Sequence, residues 1–446
     1  MSKHIVRFFL FTLFISNCYA ETKLELTQGI YGAAPIVISV AGSKTVALNN
    51  VSSKISNDIK DLLSLSGEFK VKVGPSTLPS LDLLASYQKE GVSYVAFTKV
   101  EEGIGSGGFD VSLLCYDLLN DQNLDFAQPK KILRYHFTEE NINLFSRVLA
   151  DDIYSAINGY PGVFTTNIAY VLVQKKHGMT PIYSLKVANF DGSNQRDILQ
   201  SYTPIMSPSW SHDGKKIAYV SFENNSSSIY IQDIESGLRD KISDLDGVNG
   251  APNWSHDDSS IAVVLSDNEF TKIYKINLSD KSKELLTDGA SLDTEPKWSS
   301  DDKYLFFTSN RAGKPNIYSY DFSANTPTRV TFKGDYNASP DVSADNKFIV
   351  YLHRNGGLFS IATQNLESGT VRVVSRDESG ESPSFAPNSK IIAFSSRYGA
   401  RGVLSLVSLD GLIKWRLPVA NGDIQDPAWS HLTGYRDSFI VEEYNV

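Results

Sequence analysis

The sequence predicts a small N-terminal α/β domain followed by an all-β six-bladed β-propeller that is closed by the C-terminal strand. Three observations lead to this fold class. A segment containing proline and an aromatic residue recurs at a nearly constant interval, each interval has room for four short strands, and the two ends of the array are incomplete in complementary ways. A repeat of this length indicates a propeller and decides the architecture of most of the chain.

The repeat is defined by six prolines, each of which opens a segment similar to SPSWSHDGKKIAYVSF. These are Pro208, Pro252, Pro296, Pro340, Pro383 and Pro427. Successive spacings are 44, 44, 44, 43 and 44 residues. A regular period of this size, with four strands in each copy, is typical of propeller blades.

Each repeat contains signals for four strands, as the first complete copy shows. A short first strand ends at Trp210, and a polar tight turn follows at 213–214. A β-branched and aromatic second strand is predicted at 217–220, and an Ile-Tyr pair at 229–230 marks the third. A more polar fourth strand leads to the next proline, so each repeat predicts one blade.

The ends of the array predict circular closure. Residues 168–171 have the pattern of a second strand with no first strand before it, and Trp429 ends a first strand with no second strand after it. The C-terminal strand therefore completes the blade that begins near Phe164, which gives six blades. Closure of this kind removes the exposed sheet edges that a linear solenoid would leave at both ends.

The first twenty residues have the pattern of a secretory signal peptide. Two basic residues precede a short apolar run at 8–15, and small residues at Cys18 and Ala20 precede a cleavage point. The apolar run is too short to span a bilayer. We therefore expect a signal peptide at 1–20, an α/β domain at 21–160, the propeller at 161–432, and a C-terminal extension of unknown structure at 433–446. Within this extension, residues 439–441 could be an added strand or part of a disordered tail.

Between residues 21 and 160 the hydrophobic spacing alternates between helical and strand periods. Strands are predicted at 35–40, 92–100, 109–118 and 132–137, and helices at 51–63 and 81–87. A third helix is expected to be capped by Thr138, to carry acidic residues in its first turn and to end at 158–159. This alternation predicts a small α/β domain.

The charge and cysteine content exclude several classes of function. The chain has 42 Lys and Arg against 51 Asp and Glu, a formal net charge of −9 and no basic run, so nucleic acid and anionic lipid are not expected partners. Once Cys18 leaves with the signal, Cys115 is alone and cannot form an internal disulfide. No later segment has the length of a membrane span, so we expect no direct membrane insertion.

Two patterns that could indicate an active site are better explained as a hairpin connection and a packed strand. Gly103, Gly105 and Gly108 match a dinucleotide fingerprint in letters only, because strands are predicted on both sides of them. Cys115 lies in an apolar strand, and no Gly-x-Ser-x-Gly elbow occurs. We therefore expect no enzyme activity, no catalytic residues and no cofactor.

His212, His256 and His431 occupy the same position in three repeats, which raises the question of a metal site. Each lies in a different blade, and the blades of a six-fold ring are rotated by roughly 60° from one another. We therefore expect the three side chains to be too far apart to share an ion, to serve as turn residues and to bind no metal.

The segment before each repeat proline is the best candidate for a binding surface. These segments differ in sequence while the strands stay similar, as binding loops on a constant frame do. Because each joins the outer strand of one blade to the inner strand of the next, all six are expected on one face around the channel. The candidates are Met206, Ser207, Val248, Asn249, Gly250, Ala251, Thr294, Glu295, Ser339, Glu381, Ser382 and Asp426.

The order of these features resembles the TolB family of the Tol–Pal envelope system over nearly the whole mature chain. The signal peptide, the α/β domain, the repeats of the form Pro-x-Trp-Ser-x-Asp-Gly and the short segments GAPNWS and DTEPKW carry the resemblance. It implies a monomeric, non-enzymatic periplasmic scaffold that binds the lipoprotein Pal through the channel face and TolA through the mature N-terminus. It also implies a role in outer-membrane integrity and in constriction of that membrane during cell division.

The resemblance assigns particular positions to these two contacts. The Pal site includes residues 249–251 and 294–295, and Val248 stands where family members often have a histidine. The TolA-binding segment is Glu21, Thr22, Lys23, Leu24, Glu25, Leu26, Thr27, Gln28 and Gly29. Its alternating leucines suit addition to the sheet edge of a partner. The same segment could instead dock on its own domain, and a switch between the two states would couple the two sites.

Two other functions stay open on the sequence alone. One is a carbohydrate-active propeller, either a lyase or a lectin, which would need histidines with a metal, or Arg and Lys with a Tyr base, at the channel. Partial support comes from residues that follow the second strands and are expected away from the channel mouth, namely Arg311, Arg354, Arg397 and Arg401. The other is an accessory subunit of a peptidase.

Overall fold

The computed structural model describes residues 23–29, 31–42, 45–77, 79–103, 108–119, 129–175, 178–267, 270–375, 379–417, 422–432 and 434–445. The predicted signal peptide at 1–20, as well as Glu21, Thr22 and Gly105, lies outside the described residues. Within them the chain has the predicted fold class, a six-bladed β-propeller with a small N-terminal α/β region.

The N-terminal region is built on one mixed sheet covered by helices. Its elements in chain order are β1 (Glu25–Gln28), β2 (Ala34–Gly42), α1 (Val46–Leu65), β3 (Phe69–Val73), α2 (Leu81–Lys89), β4 (Tyr94–Glu102), β5 (Phe109–Asp117), β6 (Lys131–Phe137) and α3 (Ile142–Asn158). The strands pair in the order β3-β2-β4-β5-β6, and β2 is parallel to both of its neighbours. Buried side chains on α1 and α3, such as Ile55 and Phe145, belong to the same core cluster as the strand residue Leu113.

Two details of this region differ from the prediction. β3 is not among the predicted strands, although its Phe, Lys and Val residues alternate with the two-residue period of a strand. Thr138 does not cap α3, since a 3₁₀ turn at Glu139–Asn141 lies between them. The Thr138 hydroxyl instead accepts a hydrogen bond from the Asn141 side chain at 3.2 Å. The helix ends as predicted, with Gly159 in the left-handed conformation at φ 76°.

Six antiparallel sheets form the propeller, and successive repeats give successive blades. The first propeller strands in the chain belong to blade 6 and are β7 (Asn167–Gln174), β8 (Ile182–Asn189) and β9 (Arg196–Ser201). Blade 1 has β10 (Ile205–Trp210), β11 (Lys216–Ser221), β12 (Ser228–Asp233) and β13 (Arg239–Ser243), and blade 2 has β14 (Asn249–Trp254), β15 (Ser260–Asp267), β16 (Phe270–Asn277) and β17 (Lys283–Leu285). Blade 3 has β18 (Asp293–Trp298), β19 (Tyr304–Ser309), β20 (Asn316–Asp321) and β21 (Thr326–Arg329).

The remaining strands complete the ring. Blade 4 has β22 (Tyr336–Val342), β23 (Phe348–Arg354), β24 (Ser360–Asn365) and β25 (Val371–Val373), and blade 5 has β26 (Gly380–Phe385), β27 (Ile391–Tyr398), β28 (Arg401–Ser408) and β29 (Lys414–Leu417). The inner strand of blade 6 is β30 (Asp423–Trp429). The predictions of four strands in each repeat and of six blades are confirmed.

The ring closes as the sequence predicts. β30 pairs antiparallel with β7, so that Ala428 lies opposite Ala169 and Trp429 opposite Ile168. The Trp429 indole N–H donates to Thr166 Oγ1 at 2.8 Å. The last strand of the propeller therefore lies in the same sheet as its first strands, and the ring has no open sheet edge where the array begins and ends.

The core lies between neighbouring blades, because both faces of each sheet are covered. Separate apolar clusters fill the interfaces between blades 6 and 1, 1 and 2, 2 and 3, 3 and 4, and 4 and 5. The cluster between blades 5 and 6 is continuous with the core of the N-terminal region, as it contains Leu404, Tyr170 and Phe145. The α/β region is thus packed against the interface between blades 5 and 6.

The C-terminal extension returns to the N-terminal region. After a 3₁₀ turn at Arg436–Ser438, β31 (Ile440–Asn445) pairs antiparallel with β6 and becomes the sixth strand of that sheet. Phe439 is buried, with its ring centroid 5.7 Å from that of Phe145. Arg436 Nε donates to the buried Asp152 carboxylate at 2.7 Å. The extension is therefore an added strand, which ties the C-terminal end of the chain to the α/β region.

Candidate functional site: the propeller channel and the N-terminal strand

The direction of the strands defines two faces of the propeller. All six inner strands begin at one face, here called the upper face, and end at the other, the lower face. Because neighbouring strands are antiparallel, the connections between blades and those between second and third strands also lie on the upper face. The six segments that the sequence marks for binding therefore share one rim around the channel.

These segments are the first residues of the inner strands rather than loops. In each blade the residue before the proline has a positive φ angle, namely Ser207 (51°), Ala251 (43°), Glu295 (54°), Ser339 (50°), Ser382 (49°) and Asp426 (46°). The pairing with the second strand shifts at the same place in every blade. Left-handed backbone costs a non-glycine residue roughly 1–2 kcal/mol. Strain at six equivalent positions on one rim is a feature that often accompanies a functional surface.

The six residues before the prolines, together with the prolines, line the upper part of the channel around a cavity of about 90 Å³. Glu295 accepts hydrogen bonds from Ser339 Oγ at 2.6 Å, from the Ser339 amide at 2.8 Å and from Thr308 Oγ1 at 2.7 Å. Asp426 similarly accepts from the Ser207 amide and the Ser382 hydroxyl. Two carboxylates thus face the channel and link neighbouring blades. Lys297 lines the same cavity, so the upper ring has one more negative than positive charge.

In blade 2 the predicted site residues have two different roles. Asn249 is 1% exposed; its side chain accepts from Ser243 Oγ at 2.7 Å and donates to the Leu245 carbonyl at 2.6 Å. It therefore shapes the segment from the inside and does not present its amide to a partner. Val248 is 45% exposed, so the hydrophobic side chain at this position is the one that faces outward. Gly250 and Ala251 are half-buried beside it.

In blade 3 a buried ionic network holds Thr294 and Glu295 in place. The preceding residue, Asp293, is 0% exposed and lies 3.1 Å from the Arg311 guanidinium and 3.6 Å from the ammonium of buried Lys272. Arg311, which the sequence analysis places away from the channel mouth, is thus beside the inner strand, and its charge is compensated by Asp293.

Exposed apolar side chains are concentrated on the upper face. Met206 belongs to the rim itself, and others lie on the connections that surround it. Those exposed on this face are Met179, Tyr202, Met206, Leu245, Val248, Leu292, Phe332, Leu358 and Tyr398. Exposed apolar patches of this kind around polar residues mark surfaces that bind other macromolecules.

The N-terminal segment, of which residues 23–29 are described, lies on the propeller. β1 extends the sheet of blade 5 by pairing antiparallel with β29, with Leu26 opposite Trp415. Leu24 is buried, and its amide donates to the Asp191 carbonyl of blade 6 at 2.7 Å. The alternative that this segment docks on its own domain is not what the structure shows, because the segment docks on the propeller, at the outer edge of blade 5.

The structure corrects the expectation for the three histidines. The ring centroid of His212 lies 3.8 Å from that of His256 and 4.4 Å from that of His431. The turns that carry them follow the inner strands, close to the axis, where a rotation of about 60° produces only a short separation. Burial and then the neighbouring imidazoles lower the pKa of His212 and lower that of His431 to about 3.

The other sequence motifs behave as structural elements. Cys115 is buried in β5, and burial raises the pKa of its thiol to about 12, so the thiol is packed and protonated at neutral pH. Gly103 and Gly108 lie at the two ends of the β4–β5 connection, where the Gly103 amide donates to the Gly108 carbonyl at 3.0 Å. In the described part of the chain, no helix is long and apolar enough to cross a membrane.

Comparison with known proteins agrees with this architecture. Residues 154–433 match the family model described as the TolB beta propeller domain. The chain is 52% identical over 441 residues to the Tol-Pal system protein TolB of Coxiella burnetii, covering 97% of this chain and 99% of that protein. It is also 52% identical over 421 residues to the Tol-Pal system protein TolB of Legionella pneumophila, covering 94% of this chain and 97% of that protein.

A solved structure shows the same fold over nearly the whole length. The crystal structure of TolB from Acinetobacter baumannii has a TM-score of 0.79 and 32% identity, and the alignment covers 92% of this chain and 100% of that one. Full-length similarity to named relatives, a family model that spans the propeller and a shared fold point to one conclusion. The chain belongs to the TolB family of the Tol–Pal system.

Proposed function

We propose that the protein is a monomeric, non-enzymatic adaptor of the periplasm that binds Pal with the upper face of its propeller and TolA with residues 21–29. In this role it supports outer-membrane integrity and the inward movement of that membrane during cell division. Membership of the TolB family supports the Tol–Pal context. The observation that carries the proposal is the rim of six varied, strained residues surrounded by exposed apolar side chains.

The proposed Pal surface combines three properties of a protein docking site. Its centre is an acidic ring with fixed carboxylates, since Glu295 and Asp426 are held by hydrogen bonds from neighbouring blades. Exposed apolar residues such as Met206 and Val248 surround it. The strands below it are packed and closed into a ring, so the surface is preorganised and little conformational entropy is lost on binding.

The proposed TolA segment can leave the propeller at modest cost. All four residues of β1 are exposed, and its side-chain contacts to blade 5 are two hydrogen bonds from Thr27 and Gln28 to backbone carbonyls, at 3.1 and 2.8 Å. Leu24 alone is buried. A strand held in this way can exchange one sheet edge for that of a partner, which is the mode of binding by strand addition.

The Pal contact is tested by a binding titration with the soluble domain of Pal. Thr294→Arg introduces a long cation on the rim beside Glu295, and we expect affinity to fall at least tenfold, or by about 1.4 kcal/mol. Glu235→Arg is the control, because Glu235 is exposed on a lower-face turn and the change in charge is larger. Equal affinity of wild type and Thr294→Arg would place the contact on another face.

The TolA contact is tested by locking β1 on blade 5. Gln28 and Lys414 are paired across β1 and β29, so a Gln28→Cys/Lys414→Cys protein can form a disulfide between paired strands. We expect the oxidised protein to bind the soluble domain of TolA much more weakly than the reduced protein. Unchanged TolA binding after oxidation would contradict the proposed release of the segment.

A further inference from the structure

The lower mouth of the channel brings together three histidines from consecutive blades. His431 follows the inner strand of blade 6, His212 that of blade 1 and His256 that of blade 2. Their rings form a contiguous group, with centroids 3.8 Å apart for His212 and His256 and 4.4 Å apart for His212 and His431. The other blades have Ser300, Ala344 and Pro387 at this position.

The histidines border a cavity in the lower channel. It has a volume of about 150 Å³ and is also lined by the inner-strand residues Trp298 and Lys297. Within the described residues, His212 Nδ1 is buried without a hydrogen-bond partner. The indole N–H of Trp298 is also unpartnered, but it is a donor and does not bind a cation. Buried polar atoms are nearly always satisfied, so an unpartnered imidazole nitrogen beside a cavity indicates a ligand there.

The backbone is fixed by hydrogen bonds in two of these turns, those of His212 and His256. The His212 amide donates to Asp258 Oδ1 at 2.6 Å, and the His256 amide donates to Asp302 Oδ1 at 2.7 Å. Each turn is thereby tied to the turn of the next blade. The Cα positions of His212 and His256 are thereby held in place, while the three imidazoles contact one another. His256 is exposed, which leaves a route from solvent to the group.

We propose that His212, His256 and His431 form a binding site for one divalent transition-metal ion of the zinc type. Neutral imidazole is a preferred ligand of zinc, copper and nickel. Three histidines with an open fourth position are an established arrangement for zinc, at Zn–N distances of about 2.0–2.1 Å. The ammonium of Lys297 also lies at this cavity, but Asp341, 4.0 Å away, offsets its charge.

Binding requires the rings to turn. As the side chains are now oriented, no group of three His, Cys, Asp or Glu among the described residues is arranged to hold a metal ion. Two imidazoles on one zinc ion have centroids about 5 Å apart at these bond lengths, so the rings must separate by about 1 Å. The cavity and the solvent side of His256 provide that space.

The consequence of such a site is a second closure of the ring. His431 follows β30, the C-terminal strand that completes blade 6. An ion shared with His212 and His256 would tie this strand to blades 1 and 2 at the lower face. Because the metal binds the folded ring and not the unfolded chain, it raises the free energy of unfolding.

The test uses the full chain without residues 1–20, stripped of metal and titrated with Zn(II) by calorimetry in a buffer that does not bind metal. We expect one equivalent to bind and the melting temperature to rise, and EDTA to reverse that rise. His212→Asn, His256→Asn and His431→Asn should each weaken binding at least tenfold. His136→Asn, in the α/β region, is the matched control and should bind as wild type.

Titration with Co(II) gives a second readout, because the visible spectrum of Co(II) reports nitrogen ligation. We expect the spectrum of bound Co(II) in wild type to be lost in His212→Asn. Absence of Zn(II) binding, or binding that all three single variants retain, would overturn the proposal. Binding that is lost only in His136→Asn would do the same.

Discussion

Asp293 provides a quantitative test of how the upper face is held. Its buried carboxylate lies 3.6 Å from the Lys272 ammonium and 3.1 Å from the Arg311 guanidinium. Removing one partner of a buried ion pair costs about 3–5 kcal/mol. Asparagine keeps one acceptor oxygen, and Lys272 also donates to the Ser291 carbonyl at 2.5 Å. We therefore expect Asp293→Asn to lower the free energy of unfolding by about 2–3 kcal/mol.

The assay is urea unfolding followed by tryptophan fluorescence, with Trp298 at the end of the same strand. A Lys272→Met/Asp293→Asn protein should recover about half of the loss, because no buried ammonium is then left without its carboxylate. Asp288→Asn is the control, since Asp288 is exposed on the preceding connection, and should change stability by less than about 0.5 kcal/mol. A loss below about 1 kcal/mol for Asp293→Asn, or no recovery in the double variant, would refute the assigned network.

Three further outcomes are expected. Phe439→Ala should lower the free energy of unfolding by about 3 kcal/mol by leaving a cavity beside Phe145, whereas Val441→Ala, two residues later in β31 and 63% exposed, should have little effect; similar losses would remove the role assigned to the C-terminal extension. Cys115 should resist alkylation at pH 8 in the folded protein and react on unfolding, because its thiol is buried with a pKa raised to about 12; rapid labelling of the native protein would contradict this burial. Ala251→Gly should stabilise the protein by about 1 kcal/mol, as φ is 43° there and glycine tolerates that region; a loss of stability in thermal unfolding would argue against strain on the rim.

The parts of the fold that follow from local spacing are predictable from the sequence. A period of 44 residues between prolines is enough to count the blades. The unmatched strands at 168–171 and at Trp429 are enough to predict that β30 joins β7. The common position of the candidate rim residues follows in turn, because equivalent residues of a closed repeat must occupy equivalent places.

Features that depend on distance in space rather than on period are not predictable in this way. The angle between blades alone predicts that the three histidines are far apart. Their separation also depends on their distance from the propeller axis, and this distance is small at the ends of the inner strands. The pairing of β1 with β29 and of β31 with β6 joins residues more than 300 positions apart. The burial of Asn249, in blade 2, depends on side chains of the neighbouring blade 1, such as Ser243.

The proposal that Pal binds the upper rim of the propeller is tested most directly by hydrogen exchange of the protein with and without the soluble domain of Pal. We expect the complex to slow amide exchange at the first residues of β10, β14 and β18 and in the connections beside them, while the lower-face turns keep their rates. Protection at the lower-face turns or in the α/β region, with the rim unchanged, would contradict the proposed surface.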